Sequence, residues 1–199
     1  MRKLVLFFVF ACAVIAQAAS IDTLNYGGHL AGLTDGHYYV GNAKGSLQSN
    51  PTQQFTMWCL DSLHLIGQNS WSVNVMSITE AAAGNSMGFS LEQLQLMAVT
   101  GTRFNNANPN DSTLQHVIWA EGDNRVLTSE EQAQRIISLG VLSNYDYSNV
   151  KIFDPREKGG QMMAAGELGT AGVPEPSTYA QVLGGIGLIW FARRKLHTS

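Results

Sequence analysis

The segment at residues 173–199 most constrains the fold, because its pattern is that of a membrane-targeting segment. It is therefore excluded from the globular core. It comprises a proline-rich start, an apolar stretch and a basic cluster, formed by Val173, Pro174, Glu175, Pro176, residues 179–192, Arg193, Arg194 and Lys195. The prolines keep the backbone extended. The apolar stretch is shorter than the ~20 residues of a full span, but residues 173–190 together can reach with snorkelling ends. Basic residues stay on the cytoplasmic side, so the body of the chain is expected across the membrane.

This C-terminal segment resembles the PEP-CTERM sorting signal of Gram-negative bacteria. Proteins with that signal are recognised by an exosortase, a membrane-embedded cysteine transpeptidase. The resemblance implies exosortase as a partner and a transient anchor in the inner membrane. It also implies a final location at the cell surface or in the extracellular matrix of a biofilm.

The N-terminal segment has the pattern of a secretory signal peptide. A basic start at residues 1–3 precedes an apolar stretch at residues 4–15, and Ala16-Gln17-Ala18 fits a cleavage site. Residues 1–18 are therefore predicted to be removed on export across the inner membrane. Neither terminal segment contributes to the predicted fold.

The remaining chain is predicted to form one globular domain at residues 19–157, followed by a Gly- and Ala-rich linker at residues 158–172. The formal net charge of the whole chain is −3 and no basic run occurs within residues 19–172, so no nucleic-acid partner is expected. His29, His37 and His64 do not have metal-ligand spacing, and neither a G-x-S-x-G motif nor a phosphate-binding loop occurs. We therefore expect no metal, no cofactor and no enzymatic activity.

The first half of this domain has the pattern of strands and the second half that of helices. Strands are predicted at residues 37–40, 54–66, 70–78 and 150–153, with a further candidate at 161–163. Turn-forming residues at 67–70 predict a hairpin between the second and third strands. Capping boxes and helical spacing predict helices at residues 91–99, 113–120 and 129–139. The predicted fold class is α+β: a mainly antiparallel β-sheet with three short-to-medium helices, flanked by a signal peptide and a C-terminal membrane helix.

Cys59 is the single cysteine of the predicted mature chain, because Cys12 leaves with the signal peptide. A lone cysteine in an exported protein forms no internal disulfide. It is buried and inert, pairs with another molecule, or has chemistry of its own. Residues 55–61 are apolar on both faces, which indicates a buried strand, and Phe55, Met57 and Cys59 share one face of it.

Gln115 is the unusual residue of the second predicted helix. It lies on the same face as Ile118 and Trp119, so its amide requires a partner in an apolar environment. A hydrogen bond to the backbone and a position at the rim of the core both satisfy this requirement. The neighbouring His116 is expected to face solvent.

The motifs Trp58-Cys59-Leu60-Asp61 and Leu114 to Trp119 resemble those of thioester domains from bacterial surface adhesins. In that family an aromatic-Cys strand motif is followed by a helix motif with a glutamine. The cysteine sulfur and the glutamine carbonyl carbon form a thioester with loss of ammonia. The resemblance implies that Cys59 and Gln115 are neighbours in space and that their bond attaches the protein to amine-bearing surface proteins or exopolysaccharide. The alternative is a non-covalent structural or binding module of the extracellular matrix, with a buried free Cys59.

Overall fold

The computed structural model describes residues 19–29, 34–35, 38–39, 41–64, 68–107, 111–123 and 125–170. The predicted signal peptide and the predicted sorting signal lie outside these residues. Among the described residues, no helix combines the length and hydrophobicity required to cross a membrane. The strands are β1 (Ser20–His29), β2 (Thr34–Asp35), β3 (Tyr38–Tyr39), β4 (Ala43–Leu47), β5 (Asn50–Cys59), β6 (Ser70–Ser77), β7 (Tyr145–Asp146), β8 (Lys151–Pro155), β9 (Met163–Ala165) and β10 (Gly169–Thr170). The helices are α1 (Ile78–Gly84), α2 (Leu91–Ala107), α3 (Ser112–Asp123) and α4 (Ser129–Leu139), with a 3₁₀ turn at Leu142–Asn144.

Six strands form a closed barrel in the order β1-β4-β5-β9-β8-β6, and every neighbouring pair is antiparallel. Closure leaves none of these strands as an open sheet edge. The α+β class and the antiparallel pairing agree with the sequence-based prediction. The closed barrel and α1 were not predicted, and the described residues contain four helices rather than three.

The predicted hairpin between the second and third strands is wrong. In the barrel, β5 pairs with β4 and β9, whereas β6 pairs with β1 and β8. Glycine and asparagine at residues 67–69 specify only that the chain reverses, not which strand it joins. The true neighbour β4 is a five-residue strand with a central glycine, so it lacks the apolar alternation that marks a strand in a sequence.

The predicted strand at residues 54–66 ends at Cys59 because Asp61 turns the chain. The Oδ1 atom of Asp61 accepts hydrogen bonds from the backbone N–H groups of Leu63 at 3.1 Å and His64 at 2.9 Å. A side chain that captures the amides two and three residues later stabilises a turn rather than an extended strand. Cys59 is therefore the last residue of β5.

The buried strand predicted around Cys59 is correct in its C-terminal half. Met57 and Trp58 are fully buried and Cys59 is 7% exposed. Trp58 faces α2, since a Cβ atom on Gly101 of that helix would lie closer than 3.0 Å to the indole ring. Met57 points to the opposite face of the strand by alternation.

The helices pack on one another, and α1 packs on β6 and β8 of the barrel. Helix α2 contacts α1, α3 and α4, and α3 contacts α4. The predicted helix at residues 129–139 has the observed bounds of α4, whereas α2 extends beyond its predicted end at residue 99. The missed helix α1 begins with a capping box between Ser77 and Glu80, and its first residue is the last residue, Ile78, of the predicted strand.

Part of the predicted linker at residues 158–172 is folded. Strand β9 lies between β5 and β8 in the barrel, and Gln161, Met162 and Met163 are buried. Glycine and alanine composition does not distinguish a flexible segment from a short strand in a crowded barrel, where small side chains are needed. The folded domain therefore continues through β10.

Candidate functional site

Cys59 lies at the end of β5 with its thiol directed to the backbone. The Sγ atom donates to the carbonyl oxygen of Asp61, at 2.7 Å. The residue is a free cysteine and is buried. Strand β5 fixes its position through pairing with β9, in which Cys59 lies opposite Met163.

Gln115 reaches Cys59 from helix α3. The Nε2 atom of Gln115 donates to the backbone carbonyl oxygen of Cys59 at 2.9 Å, across 56 positions of sequence. The start of α3 is fixed by Asp111, whose Oδ1 atom accepts from the N–H groups of Thr113 and Leu114 as an N-cap does. Gln115 thus lies in the first turns of a capped helix, where its backbone is well fixed.

The Gln115 side chain is fully buried, yet one of its two polar atoms has no partner. Its Oε1 atom forms no hydrogen bond within the described part of the chain. A buried carbonyl oxygen without a donor costs about 1–3 kcal/mol. Unsatisfied polar groups of this kind in a native fold require a specific explanation.

Asp61 holds the Cys59 end of the site through its carboxylate and its carbonyl group. Its Oδ2 atom accepts from the backbone N–H of Met162 at 2.9 Å, and its carbonyl oxygen accepts from Gln161 Nε2 at 2.7 Å. The N–H of Leu60 donates in turn to the Met162 carbonyl oxygen at 3.0 Å. Asp61 is 3% exposed, so this network ties the turn after β5 to the segment before β9.

The electrostatic environment keeps Cys59 neutral. Burial raises the pKa of the thiol well above its ordinary value, and the negative charge of Asp61 raises it further. The nearby Trp119 side chain and the hydrogen bond to the Asp61 backbone act in the opposite direction but are weaker. The site therefore disfavours a free thiolate at neutral pH.

Trp119, on the same helix as Gln115, packs beside Cys59. Its side chain lies close enough to the Cys59 sulfur to lower the pKa of the thiol, and the residue is 2% exposed. The guanidinium carbon of Arg125 lies 5.8 Å from the centroid of its ring. Trp119 therefore shields the sulfur from water on this side.

His116 does not face solvent, contrary to the sequence-based expectation. Its side chain is 17% exposed, and its Nδ1 atom lies 2.7 Å from Glu131 Oε1 on α4. Burial alone would raise the pKa of Glu131, but hydrogen bonds from Thr128 and His116 outweigh it and the pKa is lowered. The pair joins α3 to α4 and thereby supports the helix that carries Gln115.

The structure therefore brings Cys59 and Gln115 into direct hydrogen-bond contact. The sorting-signal residues Val173, Pro174, Glu175, Pro176, Arg193, Arg194 and Lys195 lie outside the described residues. Sequence analysis missed the roles of Asp61 and Gln161, although Asp61 stands in the Trp58–Asp61 motif. No signal in the sequence indicates Gln161, because its role depends on a contact across 100 positions. Among the described residues, no cluster of His, Cys, Asp and Glu could hold a metal ion.

Comparison with known proteins identifies structural neighbours only. No protein-family model matches the chain, and no curated protein is significantly similar to it in sequence. The N-terminal domain of the Streptococcus pyogenes pilus tip adhesin Cpa is 12% identical with a TM-score of 0.43, over 78% of this chain and 97% of that one. The N-terminal thioester domain of a Clostridium perfringens surface protein is 11% identical with a TM-score of 0.43, over 75% of this chain and 100% of that one. The N-terminal thioester domain of the S. pyogenes fibronectin-binding protein SfbI is 10% identical with a TM-score of 0.42, over 76% and 94%.

Proposed function

We propose that this protein is an exported surface or matrix module that uses a thioester between Cys59 and Gln115 to attach covalently to amine-bearing targets. One observation carries the proposal: the fully buried Gln115 amide is hydrogen-bonded to the Cys59 carbonyl oxygen, while its Oε1 atom has no donor among the described residues. A glutamine whose only function was packing would be expected to satisfy both polar atoms. The position of Gln115 beside the buried Cys59 supplies a chemical reason for the energetic cost of the unsatisfied Oε1 atom.

The bond-forming step is an acyl transfer within the domain. The Cys59 sulfur attacks the Gln115 Cδ atom, the C–S bond forms and the Cδ–Nε2 bond breaks. The thiol proton leaves on the nitrogen, so the by-product is one ammonia. An amide is a poor electrophile, and the effective concentration provided by two rigid elements supplies the driving proximity.

Burial of the site protects the bond once it has formed. A thioester carbonyl is a weaker hydrogen-bond acceptor than an amide carbonyl, so the missing donor at Oε1 costs less after the reaction. The coverage by Trp119 and the burial of Cys59 keep water away from the activated acyl group. A target amine then attacks Cδ, forms an amide with Gln115 and returns the free thiol. Each domain reacts once, so this activity is attachment rather than enzymatic turnover.

A second candidate function is a non-covalent module of the extracellular matrix. The thiol already has an acceptor in the Asp61 carbonyl group, and the Gln115 Nε2 atom already has one in the Cys59 carbonyl group. Both groups therefore have partners without a covalent bond. In this case Cys59 and Gln115 stabilise the packing of α3 on β5 and take no part in a reaction.

The mass of the intact domain separates the two candidates. The covalent function requires a mass lower than that of the sequence by one ammonia, no titratable thiol, and uptake of methylamine. Cys59→Ala and Gln115→Ala should each abolish the thioester and the methylamine uptake. Gln53→Ala, at an exposed position on the same strand, is the matched control and should leave both unchanged. An unmodified mass with a free thiol would leave the non-covalent module as the function.

Export and sorting form a separate part of the proposal. They rest on the two terminal segments of the sequence. We expect cleavage after Ala18, and a second cut near Pro174-Glu175-Pro176 in a host that contains exosortase. N-terminal sequencing and intact mass of the secreted protein test the two cuts independently. A mature protein that starts at Met1, or that keeps its C-terminal segment in an exosortase-positive host, would contradict the corresponding cut.

A further inference from the structure

A surface groove lies where α2 begins, α3 ends and α4 begins. Its volume is about 640 Å³, and its lining includes Gln93, Glu121, Arg125, Val126, Arg135 and Ile136. Two of its apolar side chains are strongly exposed, Val126 at 92% and Ile136 at 67%. The groove thus combines charged groups with apolar contact surface.

The two arginines of this groove differ in their partners. Arg135 forms a two-point ion pair with Glu121, with distances of 2.6 Å from Nε to Oε1 and 3.2 Å from Nη2 to Oε2. Arg125 has no carboxylate partner for its guanidinium among the described residues, and its Nη1 atom is buried without a hydrogen bond there. Asp123 is close in sequence, but its carboxylate accepts from the Arg125 backbone N–H and from Ser62 Oγ.

Arg125 therefore adds a positive charge to the groove lining that no carboxylate of the described residues neutralises. A guanidinium group presents five donors in a planar fork that matches a carboxylate. The acceptor that this groove lacks is an anion, and the exposed Val126 and Ile136 side chains provide apolar contact beside it. A polypeptide with an acidic side chain next to apolar groups fits both features better than a neutral glycan.

A chain of direct contacts connects this groove to the candidate thioester. The Arg125 guanidinium lies on the ring of Trp119, and the Trp119 side chain lies beside the Cys59 sulfur. Arg125 is thus two contacts away from Cys59. A ligand that pairs with Arg125 comes close to the residue that shields the reactive bond.

We propose that this groove selects polypeptide targets in which a carboxylate side chain stands next to the reacting lysine. The proposal rests on the proposed thioester function, because it names the class of target for that site. Arg125 binds the carboxylate, and the neighbouring lysine amine is positioned beside Trp119. The amine then attacks the Gln115 Cδ atom, the Cδ–S bond breaks, and the proton lost by the amine ends on the Cys59 thiol.

Two peptides of equal length test this selection. Each carries one lysine and the same apolar residues, flanked by aspartate in one peptide and by asparagine in the other. We expect the aspartate peptide to couple about tenfold faster at low salt, as one charge-assisted contact would provide, with coupling followed by intact mass. In Arg125→Gln the ratio of the two rates should fall to about one. Because the ratio is taken within each variant, a change in the general reactivity of the bond cancels.

Arg156→Gln, which removes an exposed arginine from the barrel, is the matched control and should keep the preference. Equal rates for the two peptides in the wild-type domain would overturn the proposal, as would a preference that survives in Arg125→Gln. Faster coupling to an amine-bearing polysaccharide such as chitosan oligomers than to either peptide would also overturn it.

Binding to Cys59→Ala separates this inference from the thioester itself, since that variant cannot form the bond. We expect isothermal titration to give tighter binding of the aspartate peptide, and Arg125→Gln in the same background should remove the difference. Methylamine uptake by the wild-type domain reports on the thioester alone. Preferential binding without methylamine uptake would retain the groove and refute the thioester. Methylamine uptake without preferential binding of the aspartate peptide would retain the thioester and refute the groove.

Discussion

Cys59 is expected to make the free-thiol form of the domain less stable in alkaline solution. Burial and the charge of Asp61 raise the pKa of its thiol in the folded protein, whereas the unfolded chain has a pKa of about 8.5. The unfolded chain loses the Cys59 thiol proton at a lower pH than the folded protein. The contribution of Cys59 to folded-state stability is therefore complete below the unfolded pKa and is lost as the pH rises towards the folded pKa. Gln115→Met, which cannot form a thioester, should lose about 1.4 kcal/mol per pH unit above pH 8.5 from this residue.

Urea denaturation at pH 7.5 and at pH 10 measures this loss, with the double variant Cys59→Ala, Gln115→Met as the control. The control retains Tyr147, whose pKa burial and the nearby Tyr145 raise to about 12, so the tyrosine contribution cancels between the variants. Equal losses in the two variants would contradict a raised pKa at Cys59. A wild-type domain that follows the control rather than Gln115→Met would indicate that its thiol is already bonded.

Residues near the candidate site could be predicted from the sequence to the extent that local pattern places them. Period-two alternation placed Cys59 on a buried face, and helical spacing placed Gln115 on the apolar side of α3. The hydrogen bonds that join Asp61 to Gln161 and Met162 were not predictable, because they connect positions 100 and 101 residues apart. The partner of His116 was missed for a similar reason, since Glu131 belongs to the next helix.

Among the elements, α2 depends on Gly101 for its position against β5. A Cβ atom at this position would lie closer than 3.0 Å to the Trp58 ring, which is fully buried. We expect Gly101→Ala to lower the free energy of unfolding by about 1–3 kcal/mol, because overpacking forces a shift of the helix or the indole. Gly84→Ala at the end of α1 is the control, since a Cβ atom there meets nothing within 4 Å. Chemical denaturation should give a change within about 0.5 kcal/mol or a small gain for the control, and equal effects of the two substitutions would contradict this packing.

Elements with strong local signals agree well with the sequence-based prediction. Helix α4 begins with a capping box in which Thr128 accepts from the Glu131 N–H and Glu131 accepts from the Thr128 N–H, and its predicted bounds are those observed. The end of α2 was misplaced because Gly101 interrupts the helical pattern, although the close approach to Trp58 requires a residue without a side chain. Strand β1 was missed because its polar and glycine-rich sequence acquires a partner on each side only in the barrel.

For the whole molecule, the sequence predicted the α+β fold class but not the closure of the sheet into a barrel. Antiparallel pairing follows from short connections, whereas closure depends on β9, which enters the sheet from the C-terminal part of the chain. β9 is only three residues long, Met163–Ala165, and two of those are alanines. Pairing between segments so far apart in sequence leaves no mark in local periodicity, so this part of the sheet was predicted to be mostly linker.

The position of β9 predicts where the domain can be shortened. A chain of residues 19–157 ends at the boundary that the sequence suggested, and it lacks both β9 and the Gln161 and Met162 contacts to Asp61. Loss of β9 exposes the edges of β5 and β8. It also removes the Met162 N–H from the buried Asp61 carboxylate and Gln161 Nε2 from the Asp61 backbone carbonyl oxygen. We expect this chain to be unfolded or aggregated, whereas residues 19–172 should unfold cooperatively. Circular dichroism and thermal unfolding of the two purified chains provide the comparison, and a cooperative transition at the same temperature in both would show that β9 is dispensable for the barrel.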